Sequence, residues 1–139
     1  MDLPDWVRAL DMGPHPEGGF FRETWRSELV VGESALPPDY NGPRSAGTAI
    51  YFVLLPGQQS AWHTVRSAEL WLYHRGGPLL LEIGPEKKES ATTVLLGPDI
   101  LAGQQPQVLV PPGALAAGTS PRDDEPTLVS CVVVPGFDF

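Results

Sequence analysis

Short apolar runs separated by turn sequences dominate the chain after its first dozen residues. The turns include Pro56-Gly57, Gly97-Pro98 and Pro111-Pro112-Gly113, in which proline fixes φ and glycine tolerates positive φ. Segments 32–45 and 120–126 are predicted as longer loops. The apolar runs predict strands near 19–26, 47–55, 60–66, 69–75, 78–84, 91–97, 107–111, 114–119 and 127–134. Short strands at such regular spacing are typical of a β-sandwich or barrel, so the sequence predicts an all-β fold.

One short helix is predicted ahead of the strands. In segment 3–12, LPDWVRALDM, apolar residues recur at helical spacing along one face. Asp2 stands at the expected N-cap, Pro4 lies in the first turn, and Gly13 is a helix stop. The segment therefore favours a helix whose apolar face packs on the strands.

Length and composition fit a single folded domain. The chain has 139 residues, of which 42% are apolar, enough for one hydrophobic core. Its 16 prolines and 15 glycines do not suit long helices. We therefore expect one domain over 1–139, with the helix in 1–13 and the barrel in 17–139.

Charge and cysteine content narrow the range of partners. A net charge of −8, with two lysines and scattered arginines, argues against nucleic-acid binding. Acidic residues interrupt the N-terminal segment, which argues against a signal peptide. No apolar stretch is long enough to span a bilayer. Cys131 is the single cysteine and lies in an apolar run, which predicts a buried thiol without a disulfide. We expect a cytoplasmic protein that does not contact membranes.

The segment 57–76, GQQSAWHTVRSAELWLYHRG, concentrates the polar chemistry. Gly57 is followed after five residues by His63, then by Val65, Glu69 and Gly76. This spacing resembles the first signature motif of the cupin superfamily, in which a second histidine stands where this chain has Val65.

A second cupin motif is partly present downstream. Pro111-Pro112-Gly113 matches its turn, while Ala116 stands where the motif has a histidine. Further stretches resemble one subgroup, the cupin-5 family, at 14–27 (PHPEGGFFRETWRS), 46–52 (AGTAIYF), 95–114 (LLGPDILAGQQPQVLVPPGA) and 128–139 (LVSCVVVPGFDF). The resemblance covers nearly the whole chain and implies a jelly-roll β-barrel, related in fold to the sugar epimerases of the rhamnose pathway.

The resemblance also bears on metal binding. Typical cupins hold a metal with three histidines and one glutamate, and this chain keeps His63 and Glu69 of that set. Val65 and Ala116 occupy the other two positions, and neither side chain can coordinate a metal. A transition-metal site needs at least three protein ligands, so we expect neither a metal nor another cofactor.

Strand alternation predicts which side chains share the barrel interior. Residues two apart in a strand point to the same face, which pairs His63 with Val65 and aligns Glu69, Trp71 and Tyr73. A buried carboxylate is unfavourable unless it is paired with another group or takes part in binding or catalysis. His63 could instead be a core histidine, and the aromatic residues could be core packing. A small barrel has room for one ligand.

Other residues are predicted to contribute to the pocket wall. Tyr51 carries a phenol that needs a partner if it is buried. Leu115 and Ala116 stand where cupin-5 relatives often have Trp-Gln, which predicts a roomier and more apolar pocket. Arg22 and Glu23 lie on opposite faces of the strand 19–26. Because cupins commonly pair such strands, we expect a homodimer; the alternative is an ordinary edge strand.

Two classes of function remain open at this stage. The first is a metal-independent enzyme in which His63 and Glu69 act as an acid/base pair on a small organic substrate. It would catalyse an epimerisation, isomerisation, dehydration or cyclisation. A residue bias that suggests a GC-rich genome, together with the altered pocket, is compatible with a step in secondary metabolism. The second is a non-catalytic protein that holds a metabolite in the same cavity.

Overall fold

The computed structural model describes residues 3–84, 91–120 and 125–138. One helix, α1, covers Asp5–Ala9, and short 3-10 turns lie at Glu33–Ala35 and Ile100–Ala102. The strands are β1 (Gly13–Pro14), β2 (Phe20–Arg26), β3 (Val30–Val31), β4 (Arg44–Ser45), β5 (Thr48–Leu54), β6 (His63–Thr64), β7 (Ala68–Gly76), β8 (Leu79–Gly84), β9 (Thr92–Leu96), β10 (Gln107–Val110), β11 (Leu115–Thr119) and β12 (Thr127–Val134).

The strands form two main antiparallel sheets. The larger sheet has the order β1-β2-β5-β12-β7-β10, and the smaller has the order β6-β11-β8-β9. Strands β3 and β4 pair separately. The main core cluster joins residues of both sheets, including Phe52 and Trp71 from the larger and Leu79 and Leu81 from the smaller. The sheets therefore enclose one apolar interior, and the predicted all-β jelly-roll fold is confirmed.

A second apolar cluster lies on the outer face of the larger sheet. There Val7 of α1 packs with Val53 and Leu128, and Trp6 and Tyr51 pack around them. Strand alternation explains this division, because successive residues of β5 point to opposite faces. The helix thus covers the outside of the sheet and leaves the interior to the residues between the sheets.

The structure differs from the predicted elements in several places. The helix covers Asp5–Ala9 rather than 3–12, and Pro4 precedes it without a side-chain cap. The predicted Asp2 cap lies outside the described residues. The strand expected at 60–66 is reduced to His63–Thr64, because its neighbours turn to bond with other segments. Among the described residues, no helix is long and apolar enough to cross a membrane.

Candidate functional site

A cavity of about 60 Å³ lies between the sheets. Most of its wall comes from the inward face of the larger sheet, and the rest comes from the β1–β2 connection, the segment around β6 and the C-terminal tail. Its described lining residues are His15, Glu17, Phe21, Glu23, Arg26, Thr48, Ile50, Phe52, Ser60, His63, Val65, Glu69, Trp71, Cys131, Val133 and Phe137. The set combines an apolar wall with a small group of titratable side chains.

Strands β7 and β12 place two of the polar groups. Glu69 and Trp71 are two residues apart on β7, so both point inward. They stand opposite Val133 and Cys131 of β12, which also line the cavity. The pairing of two central strands therefore fixes the positions of the carboxyl and the indole.

Glu69 is a buried carboxyl that bonds to a neighbouring indole. Glu69 is only 8% exposed, and its Oε1 accepts a hydrogen bond of 2.8 Å from Nε1 of Trp71. Burial raises the pKa of Glu69, and the positive potential of His63 and the indole N–H only partly offset that rise. The site therefore favours the protonated, neutral form of this carboxyl.

The neighbours of His63 determine its tautomer. Nδ1 lies 2.8 Å from the carbonyl oxygen of Ala61 and 3.1 Å from Oε2 of Glu17. Both neighbours are hydrogen-bond acceptors when Glu17 is ionised, so Nδ1 must carry the hydrogen. In the neutral ring the lone pair is then on Nε2. His63 is thus held as a Nδ1–H imidazole whose Nε2 can accept a proton.

His15 is a cavity residue that sequence analysis missed. Its Nδ1 accepts a 3.0 Å hydrogen bond from the backbone N–H of Glu17, so a neutral ring carries its hydrogen on Nε2. The ring packs edge-on against Phe21 and Phe52, with centroid distances of 4.9 and 5.4 Å. Burial lowers the pKa of His15, which keeps the ring neutral.

The turn before β2 explains how His15 and Glu17 reach the site. Gly18 and Gly19 both have positive φ, and a Cβ on Gly19 would lie 2.7 Å from the carbonyl oxygen of Val53. Only glycine fits there without movement of the backbone. The carbonyl of Glu17 accepts a 2.7 Å bond from the N–H of Ala61. The PEGG sequence could have revealed this turn, but no periodicity identifies His15 as a pocket residue.

The rim of the cavity contains a network around Arg26. Its Nη2 donates to Oε1 of Glu23 at 2.6 Å and to the carbonyl oxygen of Phe137 at 2.9 Å. Its Nη1 donates to Oδ1 of Asp138 at 3.4 Å. The network ties the C-terminal tail to β2 and so positions Phe137 in the cavity wall. Sequence analysis identified Glu23 here but neither Arg26 nor Phe137.

The structure brings five of the predicted site residues together. Those in the cavity lining are His63, Val65, Glu69, Trp71 and Glu23. The other five lie outside the described lining, and three of these are explained by strand geometry. Tyr51 points to the helix side of its strand. Arg22 is exposed and donates from Nη1 to the carbonyl oxygen of Leu10. Tyr73 lies beyond Trp71, where its hydroxyl donates to the carbonyl oxygen of Gly76.

Leu115 and Ala116 are also outside the described lining. Ala116 stands opposite His63 in the β6–β11 ladder and is a buried residue of the main core cluster. Leu115 is paired with Thr64 and Gly84. Neither residue is in the described lining, and the expectation that they make the pocket roomier and more apolar stays a prediction.

The described donors do not fit a metal. Within 3–84, 91–120 and 125–138, no group of three or more His, Cys, Asp or Glu side chains is arranged to hold a metal ion. Val65 lies in the wall at one of the cupin ligand positions, and Ala116 lies in the core at another.

Comparisons with known proteins show which family this chain resembles. The uncharacterized protein YML079W of Saccharomyces cerevisiae is 30% identical over 149 residues, which cover 99% of this chain and 72% of that protein. A hypothetical protein from Leishmania major has a structure with a TM-score of 0.82 and 34% identity, covering 96% of this chain and 81% of the other. Protein SO0799 from Shewanella oneidensis also has a TM-score of 0.82, with 36% identity over 100% and 81% of the two chains.

A more distant structure supports the fold. A cupin domain from Bordetella pertussis has a TM-score of 0.54 at 18% identity, covering 88% of this chain and 98% of that domain. Residues 4–139 match the Cupin_5 family, described as cupin superfamily (DUF985). The chain therefore belongs to the cupin-5 family of the cupin superfamily.

Proposed function

We propose that this cupin binds a small, partly apolar organic molecule in the barrel and catalyses a metal-independent acid/base step on it. His63 is the general base and Glu69 is the general acid. The observation that carries the proposal is that both groups lie in the wall of one cavity. The contacts of His63 through Nδ1 leave the lone pair of a neutral ring on Nε2, and burial raises the pKa of Glu69, which favours its protonated form. Pairs of titratable groups pushed toward opposite roles are typical of acid/base enzymes.

The step proceeds by two proton transfers. Nε2 of His63 takes a proton from a carbon next to a carbonyl group, and the C–H electron pair becomes a C=C bond. The carbonyl π pair moves to oxygen, which takes the proton of Glu69. Protonated His63 then gives its proton back to carbon, and the enol oxygen gives its proton back to Glu69. Delivery to another carbon of the conjugated enol gives an isomer, and delivery to the opposite face of the same carbon gives an epimer. In a dehydration, the proton of Glu69 leaves with the departing hydroxyl as water.

The neighbours of both groups stabilise the charges that this step creates. A protonated His63 lies 3.1 Å from Oε2 of Glu17, and an ionised Glu69 accepts a 2.8 Å hydrogen bond from Trp71. Each contact is stronger with the charged partner than with the neutral one. Such prearranged contacts stabilise a transition state more than the ground state.

The apolar wall provides the binding surface for the rest of the molecule. It includes two phenylalanines and two aliphatic side chains that face the titratable groups, namely Phe21, Phe52, Ile50 and Val133. Aromatic and aliphatic walls with a few polar groups are typical of small-molecule sites.

Deuterium exchange provides the test. The protein is incubated in D2O with a panel of small cyclic ketones, and incorporation of deuterium next to the carbonyl is followed by NMR and mass spectrometry. We expect exchange that falls by about 10²–10⁴ in His63→Asn and in Glu69→Gln. His74→Asn is the matched control, because His74 is exposed, bonds to Ser130 and lies outside the described lining. Near-UV circular dichroism checks that the variants keep the fold.

Two outcomes would contradict the catalytic proposal. Exchange at equal rates in the wild type and both site variants would show that neither residue transfers the proton. Binding of ketones with no exchange above the buffer rate would favour the second candidate, a non-catalytic metabolite-binding protein. In that case His63 and Glu69 would anchor the ligand.

A further inference from the structure

We infer that the ligand of this cavity is not an anion and carries neither a carboxylate nor a phosphoryl group. The inference rests on the proposed function and narrows its substrate class to carbonyl compounds without an anionic group. It is argued from the ion pairs of the rim and from the character of the wall.

The cation at the rim is already engaged by anions of the protein. Among the described lining residues, Arg26 is the one lysine or arginine. Its guanidinium bonds to Glu23 at 2.6 Å and to Asp138 at 3.4 Å. A ligand carboxylate or phosphate would have to displace one of these carboxylates to obtain the paired hydrogen bonds that arginine offers an anion. Arg26 is therefore a structural cation that holds the C-terminal tail.

Anions also meet negative charge deeper in the site. Glu17 lies beside His63, 3.1 Å from its Nδ1, so its carboxylate is close to where the proposed substrate binds. The described lining thus contains Glu17 and Glu23 against the single positive charge of Arg26. A ligand with its own negative charge would be repelled.

The pKa shifts of three side chains in the wall show that the cavity disfavours a charged group. Burial raises the pKa of Glu69 and of the Cys131 thiol, and burial lowers the pKa of His15. All three shifts favour the neutral form, and burial is the largest cause of each. An anionic ligand would lose its hydration in the same surroundings, where the one arginine of the described lining is already engaged by the protein.

An uncharged carbonyl compound complements the same groups. A neutral Glu69 is a hydrogen-bond donor for a carbonyl oxygen, and Nε2 of His63 accepts the proton of a neighbouring C–H. The phenylalanines and aliphatic side chains of the wall accept an apolar body. A neutral ligand therefore uses each feature of the cavity without an unpaired charge.

The test uses three probes of nearly one shape and different charge. They are cyclohexanecarboxamide, cyclohexanecarboxylate and cyclohexylmethylammonium, titrated at neutral pH into full-length protein labelled with ¹⁵N. The indole N–H resonance of Trp71 reports on the cavity because Trp71 lies in the wall and donates to Glu69. The indole resonances of Trp6 and Trp25 are internal controls, because neither residue is in the described lining.

The expected result is that the amide shifts the Trp71 resonance with a Kd about tenfold or more below that of the carboxylate, since an anion loses hydration on entry and finds Arg26 already paired. The ammonium probe shows whether the effect depends on the sign of the charge. The inference is overturned if the carboxylate binds as tightly as the amide. It is also overturned if the amide leaves the Trp71 resonance unchanged up to its solubility limit.

Parallel measurements separate this inference from the proposed catalysis. Cyclohexanone is titrated in the same way and then incubated in D2O with the protein. Preference for neutral probes without deuterium exchange would leave the inference standing and remove the catalytic proposal. Exchange of cyclohexanone together with tight binding of the carboxylate would support the catalytic proposal and remove the inference about ligand charge. Arg26→Gln supplies a further check, because removal of a cation that does not bind the ligand should not weaken binding of the carboxylate more than that of the amide.

Discussion

Replacement of Glu69 by glutamine should make the protein increasingly stable relative to the wild type as pH rises. The amide has nearly the shape of a protonated carboxyl, and its oxygen can accept the same hydrogen bond from Trp71. It cannot ionise. The wild-type protein must either keep a proton on Glu69 or bury a charge, because the residue is only 8% exposed. The two proteins should therefore differ in how their free energy of unfolding depends on pH.

The sign follows from proton binding in the two states. Burial raises the pKa of Glu69 in the folded protein above that of the unfolded chain, so the folded state binds more protons between the two values. Wild-type stability then decreases with rising pH in that window, by about 1.4 kcal/mol for each pH unit. Below the window the carboxyl is neutral in both states, and above it the penalty is constant. The E69Q variant lacks this dependence.

The measurement is urea unfolding followed by tryptophan fluorescence at a series of pH values. The difference in free energy of unfolding, E69Q minus wild type, should be near zero at acid pH, rise with pH and then reach a plateau. Glu28→Gln is the matched control, because Glu28 is exposed and its removal should give no comparable rise. A difference for E69Q that stays flat, or that falls as pH increases, would refute the assignment of Glu69 as a neutral carboxyl.

Four further outcomes are expected. Trp71→Phe removes the hydrogen-bond donor of Glu69 and should reduce the free energy of unfolding by about 1–3 kcal/mol in urea titrations, and a smaller loss would mean that the bond contributes little. NMR of protein with ¹⁵N-labelled histidine should find neutral His63 as the Nδ1–H tautomer and neutral His15 as the Nε2–H tautomer; the reverse would contradict the site geometry. Light scattering should give about twice the chain mass of 15.0 kDa, since Trp25 of the N-terminal strand is 52% exposed, and a mass near one chain would count against dimerisation. Elemental analysis of the purified protein should find well under one equivalent of transition metal, and a full equivalent would overturn the metal-independent proposal.

Local patterns in the sequence predicted most of the strands. The run 127–134 is almost continuously apolar, and it forms the strand between β5 and β7 in the larger sheet. Turn chemistry marked the strand ends, because proline and glycine limit where a ladder can continue. The 60–66 prediction was too long, since the N–H groups of Ser60 and Ala61 bond to Gly118 and Glu17 outside a regular ladder. Apolar alternation alone does not reveal such partners.

The site was only partly predictable for a related reason. Alternation along one strand correctly grouped Glu69 with Trp71, because both lie on β7. It could not place Leu115, whose position depends on how two distant segments pair. His15 belongs to a turn, and its place in the cavity depends on glycines that approach Val53 closely. Residues brought in by loops and by the pairing of sheets leave no periodic signal in the sequence.

The two roles open to a cupin glutamate exclude each other. A carboxylate that binds a divalent metal must be deprotonated, whereas a general acid must hold its proton at the working pH. The neighbours decide between these states. In this chain Val65 and Ala116 stand where the cupin pattern has histidines, and the indole N–H of Trp71 donates a hydrogen bond to Glu69. With aliphatic groups in place of two ligands, burial dominates and favours the protonated carboxyl. The pH dependence of E69Q therefore tests the role of Glu69 as well as its pKa. A flat difference would make Glu69 an ordinary ionised carboxylate, and the proposal that it donates a proton would fail with it.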